Sequence, residues 1–589
     1  LLAIQDDTGF NTQMMDRREF LKFGSVVSAG CMSTASMQLN AHQQVPFQKR
    51  GIRTRNQNRS TLACSQGLVA TSQPLAAQAG LDILKKGGNA IDAAIAANAV
   101  LSVVEPMSNG PGGDLFAIYW DQKEKQLHGL NASGRSPANW NLNAARELGL
   151  KSIDPYSPLS WSIPGCVSGW EALSRRFGDL KFDVLMEPAI YYAKEGWPLS
   201  PIIADGWIGP SSSSFKNLYK TFCPEGRKPQ FGDWIKNPDL ADFFKTLALQ
   251  GPRAFYEGEL AERMVAYSDR VGGRFSLEDF KHHTCDWVDP VSTNYRGYDV
   301  WELPPNGQGI AALQILNLLE HFDIASMEPN SAEHLHLFIE AKKLAFEDRA
   351  IYYADMDFAK VPLQQLISKD YAAERVKNIH PTTAAQQVAA GRLTGPSDTV
   401  YLTAADRDGN MISFIQSIYH GWGSKWVPEG MGFALQNRGE LFSLNEEDLN
   451  KLEPKKRPFH TIIPGFLTKD KEPVMSFGVM GGDFQPQGHA QVLMNMIDFN
   501  MSPQQAGEQP RVAHFESSTP KGERSTGPGS VGCENLIDDS VKEKLTAMGH
   551  NLRSGTGAFG GYQSIWRMDD PLRYFGGSDP RKDGCAVGY

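Results

Sequence analysis

The run Ala90-Ile91-Asp92-Ala93-Ala94-Ile95-Ala96-Ala97-Asn98-Ala99-Val100 constrains the fold more than any other part of the chain. A helix this rich in alanine and this poor in charge has no polar face to offer water, so it must be buried against close neighbours. A helical pattern from Gln73 to Lys86 precedes it and stops at Gly87-Gly88-Asn89. The chain then breaks at Asn109-Gly110-Pro111-Gly112-Gly113-Asp114 and enters the alternating strand Leu115-Phe116-Ala117-Ile118-Tyr119-Trp120. Helices packed on a sheet are the expectation.

Further along, Ala312 to His321 and Glu333 to Tyr353 have helical spacing, and Tyr298 to Leu303 is strand-like ahead of Pro304-Pro305-Asn306-Gly307. From Thr382 to Asp398 the pattern fades into Ala, Gln and Gly, ending in a Gly395-Pro396-Ser397-Asp398 turn. Thr399 to Ala405 and Met411 to Ile418 then form a hairpin signal across Asp406-Arg407-Asp408-Gly409-Asn410. Thr399 is thus expected to begin a strand directly behind a loop.

Composition narrows the function. With 589 residues, 41% hydrophobic and 21% charged, the chain can bury a large core, enough for about three or four domain-sized units or fewer large ones. A net charge of -9 without a long basic run gives no footprint for nucleic acid. Past the N-terminal segment no stretch approaches the roughly 20 apolar residues of a membrane span. Cys64, Cys166, Cys223, Cys285, Cys533 and Cys585 are scattered with no Cys-x-x-Cys spacing, which indicates neither a zinc site nor a disulfide scaffold. Asp16-Arg17-Arg18-Glu19-Phe20-Leu21-Lys22, followed by the small-residue stretch Phe23 to Met37, reads as a twin-arginine export signal over residues 1–42, hence a periplasmic or secreted protein. A disordered or helical extension is the plainer reading of the same residues. Ser28-Ala29-Gly30-Cys31 also resembles a lipoprotein cleavage site, with Cys31 as the anchor.

An ordered set of short motifs goes further. It comprises Gly87-Gly88-Asn89-Ala90-Ile91-Asp92-Ala93-Ala94, Pro111-Gly112-Gly113-Asp114, Tyr295-Arg296-Gly297-Tyr298, Pro304-Pro305, Asp398-Thr399, Asp408-Gly409-Asn410, Lys456-Arg457-Pro458, Gly481-Gly482 and Ser578-Asp579-Pro580-Arg581. No single piece is specific, but in this order and spacing, from about Ala63 to Tyr589, the chain resembles the gamma-glutamyltransferase (gamma-glutamyltranspeptidase) family. Gln436-Asn437-Arg438-Gly439 resembles the segment of its acylase-like members. The resemblance implies an α+β fold, the four-layer αββα sandwich of N-terminal-nucleophile hydrolases, with no metal or other cofactor. It also implies a precursor that cuts itself between Asp398 and Thr399 into a large subunit, 43–398, and a small catalytic subunit, 399–589, both within one αββα unit.

That implication is chemically coherent. The Thr399 hydroxyl would attack the carbonyl of Asp398, and hydrolysis of the ester would free Thr399 as a new N-terminus. An α-amino group titrates at about 7.7 to 8.0, so at pH 7 a useful fraction is neutral and can take the proton of the adjacent hydroxyl. Gly481 and Gly482 match the glycine pair whose amides stabilise the oxyanion, and Ser417 falls where a hydroxyl orients the nucleophile. Taken alone, Thr399 and Ser417 would be ordinary strand residues and Gly481-Gly482 an ordinary turn.

The substrate pocket departs from the family pattern. Leu441 stands where an acidic residue usually holds the substrate α-amino group, His460-Thr461 replaces a serine pair at the α-carboxylate, Tyr419 replaces an asparagine, and Arg135 is displaced from the usual arginine position. The connection Phe442 to Pro458 is short, which suggests a more open pocket. Asn437 and Arg438 come forward, the latter as a carboxylate clamp rather than a surface arginine, because a planar guanidinium can grip a carboxylate through two hydrogen bonds. The expected substrates are small acidic amides, with water or an amine as acceptor. Gamma-glutamyl amides such as glutathione are the first reading, and a glutaryl-type acylase or an oxamate amidohydrolase of the same mechanism is the alternative. An inactive binding protein would have lost Thr399 or the glycines, and has lost neither.

Overall fold

The computed structural model describes residues 59–211, 215–386, 397–553 and 559–589. The Arg17-Arg18 segment, Cys31 and the linker residues 387–396 lie outside the described residues.

The two helices at the start form as their caps dictate. Gln73 caps Pro74–Lys85 by accepting from the amides of Leu75 and Ala76, with proline at the first helical position. Asn89 and Asp92 form a reciprocal capping box on Ala90–Val104. Every residue of that second helix is buried, as its alanines require. Its Asn98 reaches out of the helix to Gln416 Oε1 at 2.8 Å and so ties it to the central hairpin.

Two antiparallel sheets of seven strands each make the frame. The first runs Cys585–Gly588, Leu68–Thr71, Ser397–Ala405, Met411–His420, Asp114–Asp121, Gln126–Ala132, Asp286–Val288. The second runs Leu62–Cys64, Arg573–Ser578, Tyr562–Met568, Glu472–Val479, Gly465–Lys469, Tyr298–Glu302, Val291–Tyr295. Strand alternation sorts the core into layers. Val400, Leu402 and Ala404 face outward into a large cluster shared with the Pro74–Lys85, Ala90–Val104, Cys166–Phe177 and Phe182–Glu195 helices. Tyr401 and Ala405 face inward, into a second cluster that takes Phe116 and Ile118 from the first sheet and Phe466, Ile565 and Tyr574 from the second. Helices Gly309–Leu319, Ala332–Tyr352 and Gln485–Ile497 cover the outer side of the second sheet. This is the expected αββα order.

The central hairpin is set by its turn. Asp406 Oδ1 accepts from the amides of Asp408 and Asn410 at 2.9 and 3.1 Å, and Gly409 takes φ +95°. At the other end the strand begins at Ser397, two residues earlier than expected, so the bond between Asp398 and Thr399 lies within a paired strand. Asp398 pairs with Tyr419 and Val400 with Gln416, which leaves Thr399 opposite both Ser417 and Ile418. The extra residue is a bulge on the partner strand, and bulges re-aim side chains. Periodicity could not show it, because the pairing geometry depends on the neighbouring strand. The glycines before Asp114 are explained by proximity: a Cβ on Gly113 would lie 2.4 Å from the Ser417 carbonyl.

Candidate active site

Thr399 shares the inward face of its strand with Tyr401 and Thr403 and is 1% exposed. Its hydroxyl is 3.4 Å from Ser417 Oγ, on the bulge, and 3.4 Å from Gln485 Nε2, at the start of the Gln485–Ile497 helix. Gln485 is oriented in turn by the amide of Ile463, which donates to its Oε1 at 2.9 Å. Ser417 Oγ also accepts from the amide of Tyr419 at 2.8 Å.

Gly481 and Gly482 end the strand Glu472–Val479 with φ of +120° and +55°, values that favour glycine. Neither amide has a main-chain acceptor among the described residues. The pair stands at the N-terminal end of the Gln485–Ile497 helix, where the peptide dipoles point their positive end and favour a developing anion. Donors of this kind can stabilise an oxyanion.

Arg438 is fully buried. Its Nη1 donates to Thr461 Oγ1 at 2.5 Å and its Nη2 to Ser417 Oγ at 3.0 Å, and the guanidinium lies 4.3 Å from the centre of the Tyr419 ring. Those acceptors are neutral hydroxyls, and among the described residues neither the Nε nor the adjacent buried Asn437 Nδ2 has a hydrogen-bond partner. Among the described residues no carboxylate forms an ion pair with Arg438. Burial pushes its pKa down to about 10, which still leaves a cation at pH 7. A buried cation without a counter-ion is costly unless something else supplies the anion. Ser417 thus joins Arg438 to Thr399, touching both.

Other expected site residues are placed differently. His460 is buried behind Thr461: its Nε2 is 3.1 Å from Asp114 Oδ2, its Nδ1 accepts from the Ile462 amide, and burial pushes its pKa down to about 4. It therefore supports the loop and does not present a free ring nitrogen. Asp114 gathers this region, accepting from the Gly134 amide and from Gln436 Nε2, both at 2.8 Å. Arg135 is not brought to the cluster; it pairs with Asp286 at 2.9 Å and donates to the Thr284 carbonyl. Asn437 accepts from the His420 amide through Oδ1. Leu441 is buried, and its neighbour Glu440 is already taken by Lys521 in an ion pair, with His420 Nε2 3.6 Å away. The Phe442–Pro458 connection folds back, with Phe442 and Leu452 packed on Trp140 and Ile153.

Sequence reasoning missed Gln485 and also Gln308, which sits beneath the glycine turn. The available signal was a glutamine inside glycine- and proline-rich turns, Gly307-Gln308-Gly309 and Gln485-Pro486, where a polar residue at the mouth of an apolar helix needs a reason.

The description gamma-glutamyltranspeptidase belongs to the family model that matches residues 76–589. This chain is a member of that family. It is therefore an N-terminal-nucleophile amidohydrolase by family and by fold. This gamma-glutamyltranspeptidase-family chain is 37% identical over 543 residues to the glutathione hydrolase-like YwrD proenzyme of Bacillus subtilis (strain 168), covering 90% of this chain and 100% of the relative. It is 32% identical over 537 residues to the acylase ACY 1 proenzyme of Pseudomonas sp. (strain V22), covering 89% and 93%. The solved cephalosporin acylase from Bacillus halodurans superposes with a TM-score of 0.83 at 41% identity, covering 90% of this chain and 97% of that one.

Proposed function

We propose that this gamma-glutamyltranspeptidase-family enzyme cuts itself between Asp398 and Thr399 and then hydrolyses, or less efficiently transfers from, amides whose acyl group carries a carboxylate. Arg438 is the observation that carries the reading: a buried guanidinium with only hydroxyl partners, sharing Ser417 with Thr399. Processing into two chains accords with relatives described as proenzymes.

In the precursor, Thr399 Oγ attacks the Asp398 carbonyl carbon, the peptide C–N bond breaks, and the nitrogen leaves as the Thr399 amine. Water then cleaves the ester. In the mature enzyme that amine takes the hydroxyl proton as Oγ attacks the substrate carbonyl and delivers it to the departing amine, leaving an acyl ester on Thr399. Water, or a second amine, attacks the ester and restores the hydroxyl. Gly481 and Gly482 donate to the oxyanion in each step, Ser417 orients Thr399, and Arg438, with Thr461 and Asn437 beside it, grips the acyl carboxylate.

The acyl class follows from the charges. Arg438 supplies a cation for a carboxylate, while Leu441 is apolar and Glu440 is already neutralised by Lys521, so a substrate α-ammonium finds no free anion there. Glutaryl and gamma-glutamyl amides are then both substrates, with no strong preference for the amino group. Replacing Arg438 by methionine should lower kcat/KM about ten- to a hundredfold on both, the worth of a charge-assisted hydrogen bond of roughly 1.5 to 3 kcal/mol, and leave self-cleavage intact. Steady-state kinetics on a glutaryl anilide and a gamma-glutamyl anilide check this. A loss on one substrate alone, or a wild-type preference for the gamma-glutamyl compound of about a thousandfold, rejects the clamp or the reading of Leu441 respectively.

We propose also that Arg17-Arg18 directs export of the folded chain. Among the described residues no helix is long and apolar enough to cross a membrane. Changing both arginines to lysine should hold the enzyme in the cytoplasm on cell fractionation, and undiminished periplasmic activity would count against the signal.

A further inference from the structure

Gln308 lies in the turn between the strand Tyr298–Glu302 and the helix Gly309–Leu319, fully buried, and no step above uses it. Its Nε2 donates to two main-chain carbonyls, Thr461 O at 2.7 Å and Gly482 O at 2.8 Å. Its Oε1 accepts from Arg349 Nη1 at 2.6 Å, and the same Nη1 is 2.6 Å from Asp483 Oδ1. Arg349 is itself fixed, with Nη2 donating to the Ser518 carbonyl at 3.2 Å and its guanidinium 3.8 Å from the centre of the Phe346 ring. The amide can face only one way, because a reversed carboxamide would turn its NH2 toward a guanidinium and its oxygen toward two carbonyls.

This arrangement addresses a weakness of the glycine turn. Glycine rotates through φ and ψ with little steric resistance, so a donor amide in a Gly-Gly pair is aimed only if something outside the pair fixes the peptide planes. Gln308 holds the Gly482 carbonyl, in the peptide plane directly after the one that carries the Gly482 N–H; Arg349 holds the side chain of the next residue, Asp483, and the Gly481 carbonyl, in the plane of the Gly482 N–H, accepts from the Phe484 amide, so the turn is anchored on both sides of that donor. The second Gln308 bond fixes the backbone of Thr461, whose hydroxyl receives Arg438. One carboxamide therefore sets the spacing between the oxyanion donors and the carboxylate clamp. Gln308 and Arg349 precede Thr399 in the chain, and their partners follow it.

We propose that Gln308, oriented by Arg349, is a positioning residue that pre-aims the Gly481-Gly482 amides, so that the large-subunit part of the chain sets the transition-state geometry of a site whose reacting groups all lie in the small-subunit part. The inference rests on the acyl-enzyme reading given above. Gln308→Met removes both donors at nearly constant length. The measurements are kcat and KM on a glutaryl anilide, inhibition by 4-boronobutyrate, whose boron forms a tetrahedral anionic adduct with the Thr399 hydroxyl, and inhibition by butyrate, which offers the clamp a carboxylate and the oxyanion donors nothing. Expected are a fall in kcat/KM of about tenfold or more and an equal loss of boronate affinity, with butyrate affinity changed by less than about threefold. Arg349→Lys, which keeps the charge but not the forked contact, should move the same quantities in the same direction by less. Unchanged kinetics, or equal losses of boronate and butyrate affinity, overturns the proposal in favour of a general packing role. A variant that stays unprocessed is decided by its thermal midpoint, because self-cleavage uses the same turn: an unchanged midpoint supports the proposal and a collapsed one overturns it. Should the wild type neither hydrolyse acidic amides nor bind the boronate, the acyl-enzyme reading itself has failed; should it do both and Gln308→Met match it, only the role of Gln308 has.

Discussion

Thr399→Ala should purify as a single uncut chain with no measurable amide hydrolysis, while the wild type separates into two chains, the smaller spanning residues 399–589, which is 191 of the 589 residues. One substitution should remove two activities because, in the mechanism proposed, the same oxygen is the nucleophile for the Asp398 carbonyl and for the substrate. The expected rate loss is on the order of 10⁴-fold or more, since no second group can replace the nucleophile. Ser417 does not replace it: its hydroxyl is bound by the Tyr419 amide and Arg438, and in an uncut chain no free α-amine is generated beside it. Denaturing electrophoresis and N-terminal sequencing of the small chain decide the matter. A small chain that starts anywhere but Thr399, or processing that survives in Thr399→Ala, excludes the assignment.

Gly482→Val should cut turnover by about a hundredfold or more, the scale seen when an oxyanion donor is lost. The backbone at Gly482 has φ +55°, which a β-branched side chain resists, so valine would rotate the turn away from this geometry and carry the amide with it. The Gly482 carbonyl would leave Gln308 at the same time. The turn lies at the edge of the inter-sheet core and contributes no apolar side chain to it, so the thermal midpoint should fall far less than the rate. Normal turnover in a folded, processed Gly482→Val enzyme would show that these amides do not face the reaction.

These effects differ in how visible their causes are along the chain. The hairpin turn and the fully buried helix Ala90–Val104 are legible because they depend on residues within a few positions of one another. One of the ordered motifs is legible for a related reason: it marks a place where backbone approaches backbone, Gly112 at the Ala434 carbonyl and Gly113 at the Ser417 carbonyl, each 2.4 Å from where a Cβ would stand. Arg438 came forward only through its place in the Gln436-Asn437-Arg438-Gly439 segment, since an arginine taken alone reads as a surface residue; that it is fully buried is a fact of the fold.

By itself, then, the sequence determined helices packed on a sheet, the strand that bears Thr399 and the glycine turn, since hydrophobic period and turn chemistry are local properties, while the four-layer order followed only from the resemblance carried by the ordered motifs. The tertiary structure alone decided which polar groups meet. Ser417 reaches Thr399 because the partner strand bulges, Arg135 is drawn off to Asp286, His460 is held by Asp114, and Gln308, behind one strand of the second sheet, holds Gly482 behind another. Hydrogen bonds act over about 3 Å and are directional, so two side chains hundreds of residues apart become partners only when the packing of the layers has fixed both.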